Sequence, residues 1–241
     1  MARAHAEGHR VVLVVATGGE HGESPADLLE GESLAMRRAA ETRASAIELG
    51  VDRVEFLGYH DSGMTGWEQN ATPEAFMNAP VEDAALKLAA ILTEENVSTI
   101  TIYDWHGNYG HPDHIAVHRV GRRAAELAGT PHVYEATMNR DAVVGFMEAA
   151  RAAGQTIDFD ASATDDGNPF GMSEAELTTA VDVTGFIAHK RSSMTCHRSQ
   201  ITDSSFFLQM PPEAFAMAFG TEWFIRSGAP GGITESWLSG L

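Results

Sequence analysis

The densest chemistry in the chain lies between Tyr103 and His114, YDWHGNYGHPDH, which holds three His, two Asp and two Tyr. Pro112 suits the first turn of a helix, so His111 and His114 stand three residues apart near one face of a helix start, and His118 falls one turn further on. Imidazole is the commonest zinc ligand, and a catalytic zinc takes three protein ligands and leaves one position for water. Asp113 is placed to orient either neighbouring ring. The same residues also suit a plain helix N-terminus, with Asp113 favouring the macrodipole and the histidines solvated. The HxxH spacing alone leaves both readings open.

Three further groups are candidates. His60 and Asp61, in GYHDSGMTG, follow a strand's end; Asp61 either orients a ligand or closes an Asx-turn beside Gly63. Glu20, in TGGEHGE, is a pocket carboxylate or an exposed loop acid. Arg38 and Glu41 sit three apart, spaced for a surface ion pair or a substrate clamp. His189, Lys190 and His197 read as a solvated helix face, and Cys196 as a packed residue with no Cys partner.

The elements that must position these groups alternate. Val11–Ala16 is a β-branched run of the buried parallel kind, followed by a helix over 31–49 that stops at Gly50. A strand at Arg53–Leu57, a helix at Val81–Glu95, a strand at Ser98–Tyr103 and a helix at Pro112–Leu127 continue the series. His132–Thr137 adds a strand and Asp141–Ala153 a helix. An acidic segment, Asp158–Gly171, reads as a surface loop or flap. Leu177–Val183 is strand-like, Thr184 is set to cap a helix over Gly185–Ser199, and a short helix at Pro211–Phe219 precedes an aromatic strand, Trp223–Ile225. The pattern predicts one α/β domain over residues 1–241, a Rossmann-like open and mostly parallel sheet with helices on both faces. Its site is expected in loops 17–25, 58–66 and 104–114, at the carboxyl ends of the strands.

Composition narrows the partners. Sixteen Lys+Arg against 34 Asp+Glu give a net charge of −18, which disfavours nucleic acid because a phosphate backbone demands a basic face. No membrane partner is expected from so short a longest apolar run, Val11–Ala16, and the charged first ten residues do not read as a secretory peptide. A cytoplasmic location follows by default, and the oligomeric state, a homo-oligomer included, stays open. TGGEHGES lacks the GxGxxG spacing and sets acids where a pyrophosphate would lie, which argues against a nucleotide-binding enzyme.

Taken together, ATGGEHGES, LGVDRVEFLGYHDSGM, YDWHGNYGHPDH and KRSSMTCHRSQ resemble the LmbE-like (PIG-L) family of zinc-dependent N-acetylglucosaminyl deacetylases over nearly the whole chain. The DSGM and YGHPDH segments are most similar to its mycothiol-pathway branch, which includes the deacetylase of the inositol-linked glucosaminide and the mycothiol S-conjugate amidase. The resemblance implies hydrolysis of an N-acetyl amide in a small amino-sugar or thiol-conjugate substrate, with zinc as cofactor. It implies His114 as a zinc ligand, His111 as general acid or stabiliser of the tetrahedral intermediate, Tyr109 as its assistant and Asp113 as the group tuning that imidazole. It further implies that Glu20, Arg38 and Asp61 face the sugar.

One departure qualifies the resemblance. The family's other two zinc ligands and its general base lie in an AHPDDE motif after the first strand, and these 241 residues contain no such motif. Residues 1–11 resemble the end of the helix that follows it. The expectation is an N-terminally truncated domain lacking the first, central strand between those at 11–16 and 98–103, with little or no activity of its own. Met1 would then be internal to a longer protein, or the chain a fragment. The competing expectation is a non-catalytic small-molecule binding or regulatory protein derived from the family.

Overall fold

The apolar run after Arg10 forms β1 (Val12–Thr17), which pairs in parallel with β2 (Arg53–Tyr59), Val12 opposite Arg53. Between them runs α2 (Leu34–Glu48), whose first turn is closed by Ser33 accepting the Met36 N–H. These elements come from a computed structural model, which describes residues 1–241 apart from 153, 155–158, 165 and 203.

After α3 (Val81–Glu94), β3 (Thr99–Tyr103) pairs in parallel with β4 (His132–Thr137). A single distorted turn, α4 (Gly107–Gly110), and the long α5 (Pro112–Ala128) connect them. Pro112 opens α5, and Gly129, left-handed at φ 69°, ends it. Then come α6 (Arg140–Ala152) and β5 (Thr179–Asp182), followed by α7 (Ile187–Thr195), α8 (Phe206–Gln209), α9 (Pro212–Phe219) and β6 (Thr221–Arg226). β6 lies antiparallel between β4 and β5, so the second sheet runs β3-β4-β6-β5. A short helix, α1 (Ala2–Ala6), precedes the first strand.

The expected elements are present with shifted ends, and two expectations near the C-terminus are corrected. The helix expected over 185–199 is shorter, because a 3-10 turn at Thr184–Phe186 precedes α7 and the helix stops at Thr195. Thr184 does not cap it. Its own N–H and hydroxyl both donate to Asp182 Oδ1, at 2.9 and 2.7 Å, in a local turn ahead of the helix. Ala153 and Asp158, the ends of the expected sixth helix and of the acidic loop, lie outside the described residues.

The sheet is divided. β1 and β2 form a two-stranded unit, β3 heads the four-stranded one, and among the described residues no strand joins the facing edges of β1 and β3. A cavity of ≈480 Å³ runs along those edges, lined by Val12, Val14, Ala16, Ile100, Ile102 and Leu238 among others. The helices α3 and α5 span the division. Ala84, Leu88, Ala116 and Val120 form one buried cluster with Ile100 and Ile102 of β3, and Val14 and Ala16 of β1 pack against it. At the amino ends of the strands, Glu95 receives both Arg10 (2.5 Å), just before β1, and Arg53 (2.7 Å), the first residue of β2. No helix among the described residues is long and apolar enough to cross a membrane.

Candidate active site

The parallel strands β1, β2 and β3 deliver loops 18–25, 60–66 and 104–111 to one end of the molecule, the carboxyl end, where open α/β sheets hold ligands. His114 lies in the first turn of α5. Its ring stacks on Tyr103, the last residue of β3, with centroids 3.8 Å apart and planes 5° from parallel, and His111 stacks on its other side at 4.8 Å. Tyr109 meets the His114 ring edge-on at 5.1 Å. His114 Nδ1 is 3.2 Å from the Gly107 carbonyl, which can only accept, so the ring's proton sits on Nδ1 and Nε2 keeps its lone pair. Burial, reinforced by the neighbouring His111, lowers the ring's pKa to about 4. A neutral imidazole whose second nitrogen is tied to a carbonyl is the form in which histidine ligates metals.

His111 has the other tautomer. As N-cap of α5 it accepts the Asp113 N–H on Nδ1 at 3.1 Å, which leaves Nε2 as the donor. Asp113 is buried and its carboxylate turns to loop 60–66: Oδ1 takes the Ser62 hydroxyl and Oδ2 the Ser62 N–H. Burial raises the Asp113 pKa, the Ser62 hydrogen bonds opposing the rise. Asp113 therefore joins the histidine helix to the β2 loop through its carboxylate, and meets His111 through its backbone N–H. His118 is turned away from this group, toward the Tyr103 carbonyl (3.1 Å) and Glu135 (3.8 Å).

Of the three residues expected to face a sugar, Glu20 and Asp61 lie on the β1 and β2 loops, and Arg38 reaches the β1 loop from α2. Asp61 is buried; Oδ1 takes the Gly63 N–H at 2.9 Å, the Asx-turn, while Oδ2 takes the His21 N–H. Glu20 Oε1 accepts the Asp61 N–H and lies 3.3 Å from His60, whereas its buried Oε2 has no partner among the described residues. Arg38 donates to the Gly19 carbonyl at 2.6 Å, and its buried Nε is likewise unmatched. Arg38 and Glu41 are not engaged with each other: Glu41 is buried and accepts the N–H and hydroxyl of Ser199.

The solvated reading of His197 is corrected. It lies beyond the end of α7, half-buried, with an unmatched Nδ1, and burial lowers its pKa. Cys196 donates weakly to the Ser192 carbonyl, and burial raises its pKa, as befits a packed thiol.

Sequence reasoning passed over Asp104 and His106, which are 0% and 1% exposed. Asp104 takes the Asn108 N–H (2.7 Å) and the Thr137 hydroxyl (2.5 Å), and so holds Asn108 at φ 69°, ψ −46°. A non-glycine residue there costs about 1–3 kcal/mol. The available signal was two titratable residues at a strand's carboxyl end.

Among the described residues, His114 has the form a metal ligand takes. His114 has the tautomer and the free nitrogen, but no group of three His, Cys, Asp or Glu among the described residues is arranged to hold an ion. They do not by themselves complete the three-ligand set of a catalytic zinc.

Fold and site define an open-sheet α/β protein with a histidine-lined, carboxylate-braced centre at the strand ends. The family model for PIG-L, GlcNAc-PI de-N-acetylase, matches residues 1–125. The chain belongs to the PIG-L family, and is by family a hydrolase of N-acetyl amides. It is 35% identical over 237 residues to the 1D-myo-inositol 2-acetamido-2-deoxy-alpha-D-glucopyranoside deacetylase of Acidothermus cellulolyticus, covering 93% of this chain and 81% of that one. The enzyme of the same name from Streptomyces avermitilis is 36% identical, with 93% and 84% covered. Among solved structures, the N,N'-diacetylchitobiose deacetylase of Pyrococcus horikoshii superposes with a TM-score of 0.56 at 22% identity, over 95% of this chain and 76% of that one, a likeness of fold.

Proposed function

We propose that the chain carries the histidine half of a zinc-dependent deacetylase acting on an N-acetylglucosaminide or mycothiol-like conjugate. The observation that carries this reading is the pair of opposite tautomers. His114 offers a lone pair at Nε2 and His111 an N–H at its own, on rings 4.8 Å apart.

In this reading the His111 Nε2–H donates a hydrogen bond to the oxygen that becomes negative as the amide carbonyl turns tetrahedral; the neutral ring keeps that proton, and the departing amine would take the one a general base removes from the attacking water. Tyr109, edge-on to both rings, assists it. Asp113 holds the histidine helix against Ser62, which fixes His111 relative to the β2 loop. Glu20, Arg38 and Asp61 receive the sugar hydroxyls. The unmatched Glu20 Oε2 and Arg38 Nε support this assignment, because buried polar atoms without partners are costly unless a ligand's presence repays them.

The remaining zinc ligands and a general base are not supplied by the described residues. We place their source in a parallel strand that would fill the division between β1 and β3 and end beside His114 and Glu20. Alone, the 241 residues should release little or no acetate.

The test is acetate release from N-acetylglucosaminyl-inositol and from a mycothiol S-conjugate, with zinc supplied. It is run on the chain as given and on a version extended at its N-terminus by an apolar strand ending in His-Pro-Asp-Asp-Glu. The reading expects release from the extended protein alone. An inactive extended protein that is folded and zinc-bound would favour the non-catalytic binding protein, and zinc-dependent release by the unextended chain would refute its dependence on the added strand.

A further inference from the structure

His106 is almost wholly enclosed, yet no role in binding or hydrolysis falls to it. Its Nε2 is 3.3 Å from the Gly171 carbonyl, its one hydrogen bond among the described residues, while its Nδ1 faces Asp166 Oδ2 at 3.5 Å without forming one. Both groups belong to the acidic segment after α6, a mostly exposed segment among its described residues, which Asp166 and Gly171 bring against the loop carrying the histidines. A backbone bond repeats the connection, since the Gly171 N–H donates to the Asn108 carbonyl at 2.8 Å. Asp166 is itself braced by Asn168 and by the Thr164 hydroxyl, and Arg140 donates to the Gly171 carbonyl at 3.1 Å.

Asn108 is thus held at both ends. Its N–H goes to Asp104 and its carbonyl takes Gly171, and these two bonds keep it in a conformation the backbone would otherwise leave. The residues on either side of it carry the site: the carbonyl of Gly107 fixes the tautomer of His114, and Tyr109 stands against both reacting rings. Whatever secures Asn108 also sets those two groups.

We propose that His106 is a positioning residue of the site, a buried imidazole that bolts the 166–171 segment onto the 104–110 loop and so fixes the Gly107 carbonyl, the tautomer of His114 and the place of Tyr109. Its importance to hydrolysis rests on the deacetylase reading, while its mechanical role does not.

The test combines amide hydrogen exchange with the nitrogen NMR signature of the His114 ring, in wild type, His106→Ala, His106→Gln and Asp166→Ala. In His106→Ala the amides of Gly171 and Asn108 should exchange at least ten-fold faster, and His114 should lose its pure Nδ1–H signature, while the amides of the β4–β6 ladder keep their protection. His106→Gln retains a donor for the Gly171 carbonyl and should restore at least half of the lost protection on a logarithmic scale. Asp166→Ala, at a half-open position, should speed Gly171 exchange by a smaller factor and serves if His106→Ala does not fold.

Unchanged exchange at Gly171 and Asn108 in a folded variant would overturn the proposal. An equal loss of protection in the β4–β6 ladder would overturn it too, since that is the mark of general structural support. These readouts do not depend on acetate release, so a catalytically silent protein would defeat the deacetylase reading and leave the positioning result to stand or fall separately.

Discussion

The ring of Tyr103 lies flat against that of His114, 3.8 Å away, so the last residue of a strand and the first turn of the helix after next share one stack. The phenol is desolvated: burial, with a smaller contribution from Tyr109, raises its pKa to about 12, and it stays a neutral aromatic surface. The metal-ligand candidate is thus oriented by a plane on one side and by the Gly107 carbonyl at its edge.

Tyr103→Phe keeps the plane and should leave the His114 tautomer and the stability nearly unchanged. Tyr103→Ala should cost roughly 2–4 kcal/mol in urea unfolding, the scale of a large aromatic lost from a packed position, and should release the His114 ring. Equal behaviour of the two variants would show that the stack orients nothing.

Gly107 has φ 69°, and a Cβ there would meet the Cβ of His114 at 2.6 Å. Gly129 shares the same φ with nothing within 4 Å. Gly129→Ala should therefore cost only the left-handed penalty, about 1 kcal/mol, and Gly107→Ala clearly more, with His114 displaced. The contrast in denaturant midpoints isolates the steric part, and matching losses would refute the close approach.

Ser62→Ala removes the hydroxyl shared by Asp113 and the Met77 N–H. A buried carboxylate losing one of its two Ser62 donors should destabilise the protein by about 1–3 kcal/mol and raise the Asp113 pKa further. Because that pKa already exceeds the unfolded value, the folded state keeps its proton longer, and stability falls as pH rises between the two values. Ser62→Ala should deepen this fall, which urea titrations from pH 3.5 to 7 would measure.

Glu95 titrates in the opposite sense. Hydrogen bonds from Arg10 and Arg53 hold its carboxyl at about 2, below the unfolded value, so its stabilisation is complete above about pH 4.5 and vanishes as pH falls toward 2. Glu95→Gln should flatten that part of the acid limb and leave the neutral-to-alkaline limb alone. An unaltered acid limb would mean that the cluster contributes nothing.

His114→Ala should abolish zinc retention by the strand-extended protein, whereas His118→Asn, altered at a ring turned to Tyr103 and Glu135, should not. Metal content after gentle purification separates the two. Equal zinc in all three proteins would remove His114 from the ligand set.

Much of this arrangement is legible in the sequence because it is local. The β-branched run before Thr17, the proline opening α5 and the glycine after it each act through their own backbone preferences, and the three loops follow from the alternation of elements. What sequence spacing does not carry is long-range pairing. Asp113 sits close to two imidazoles in sequence, yet its carboxylate takes its hydrogen bonds from Ser62, 51 residues away. His106 shares a segment with the other histidines and belongs, by contact, to Asp166 and Gly171. The place of β6 between β4 and β5 is likewise a matter of which edge was left free, which no local pattern records.

The division of the sheet gives the molecule two leaves. Glu20 and Asp61 ride on the leaf of β1 and β2, and His111 and His114 on the leaf headed by β3, so among the described residues no continuous backbone ladder sets the span between the loop carboxylates and the histidine rings. That span is set by the helical seam of α3 and α5 at one end and by the Ser62–Asp113 latch at the other. A substitution that loosens the seam at Leu88 or Val120, far from any reacting atom, would change the reach of the site by letting the leaves part.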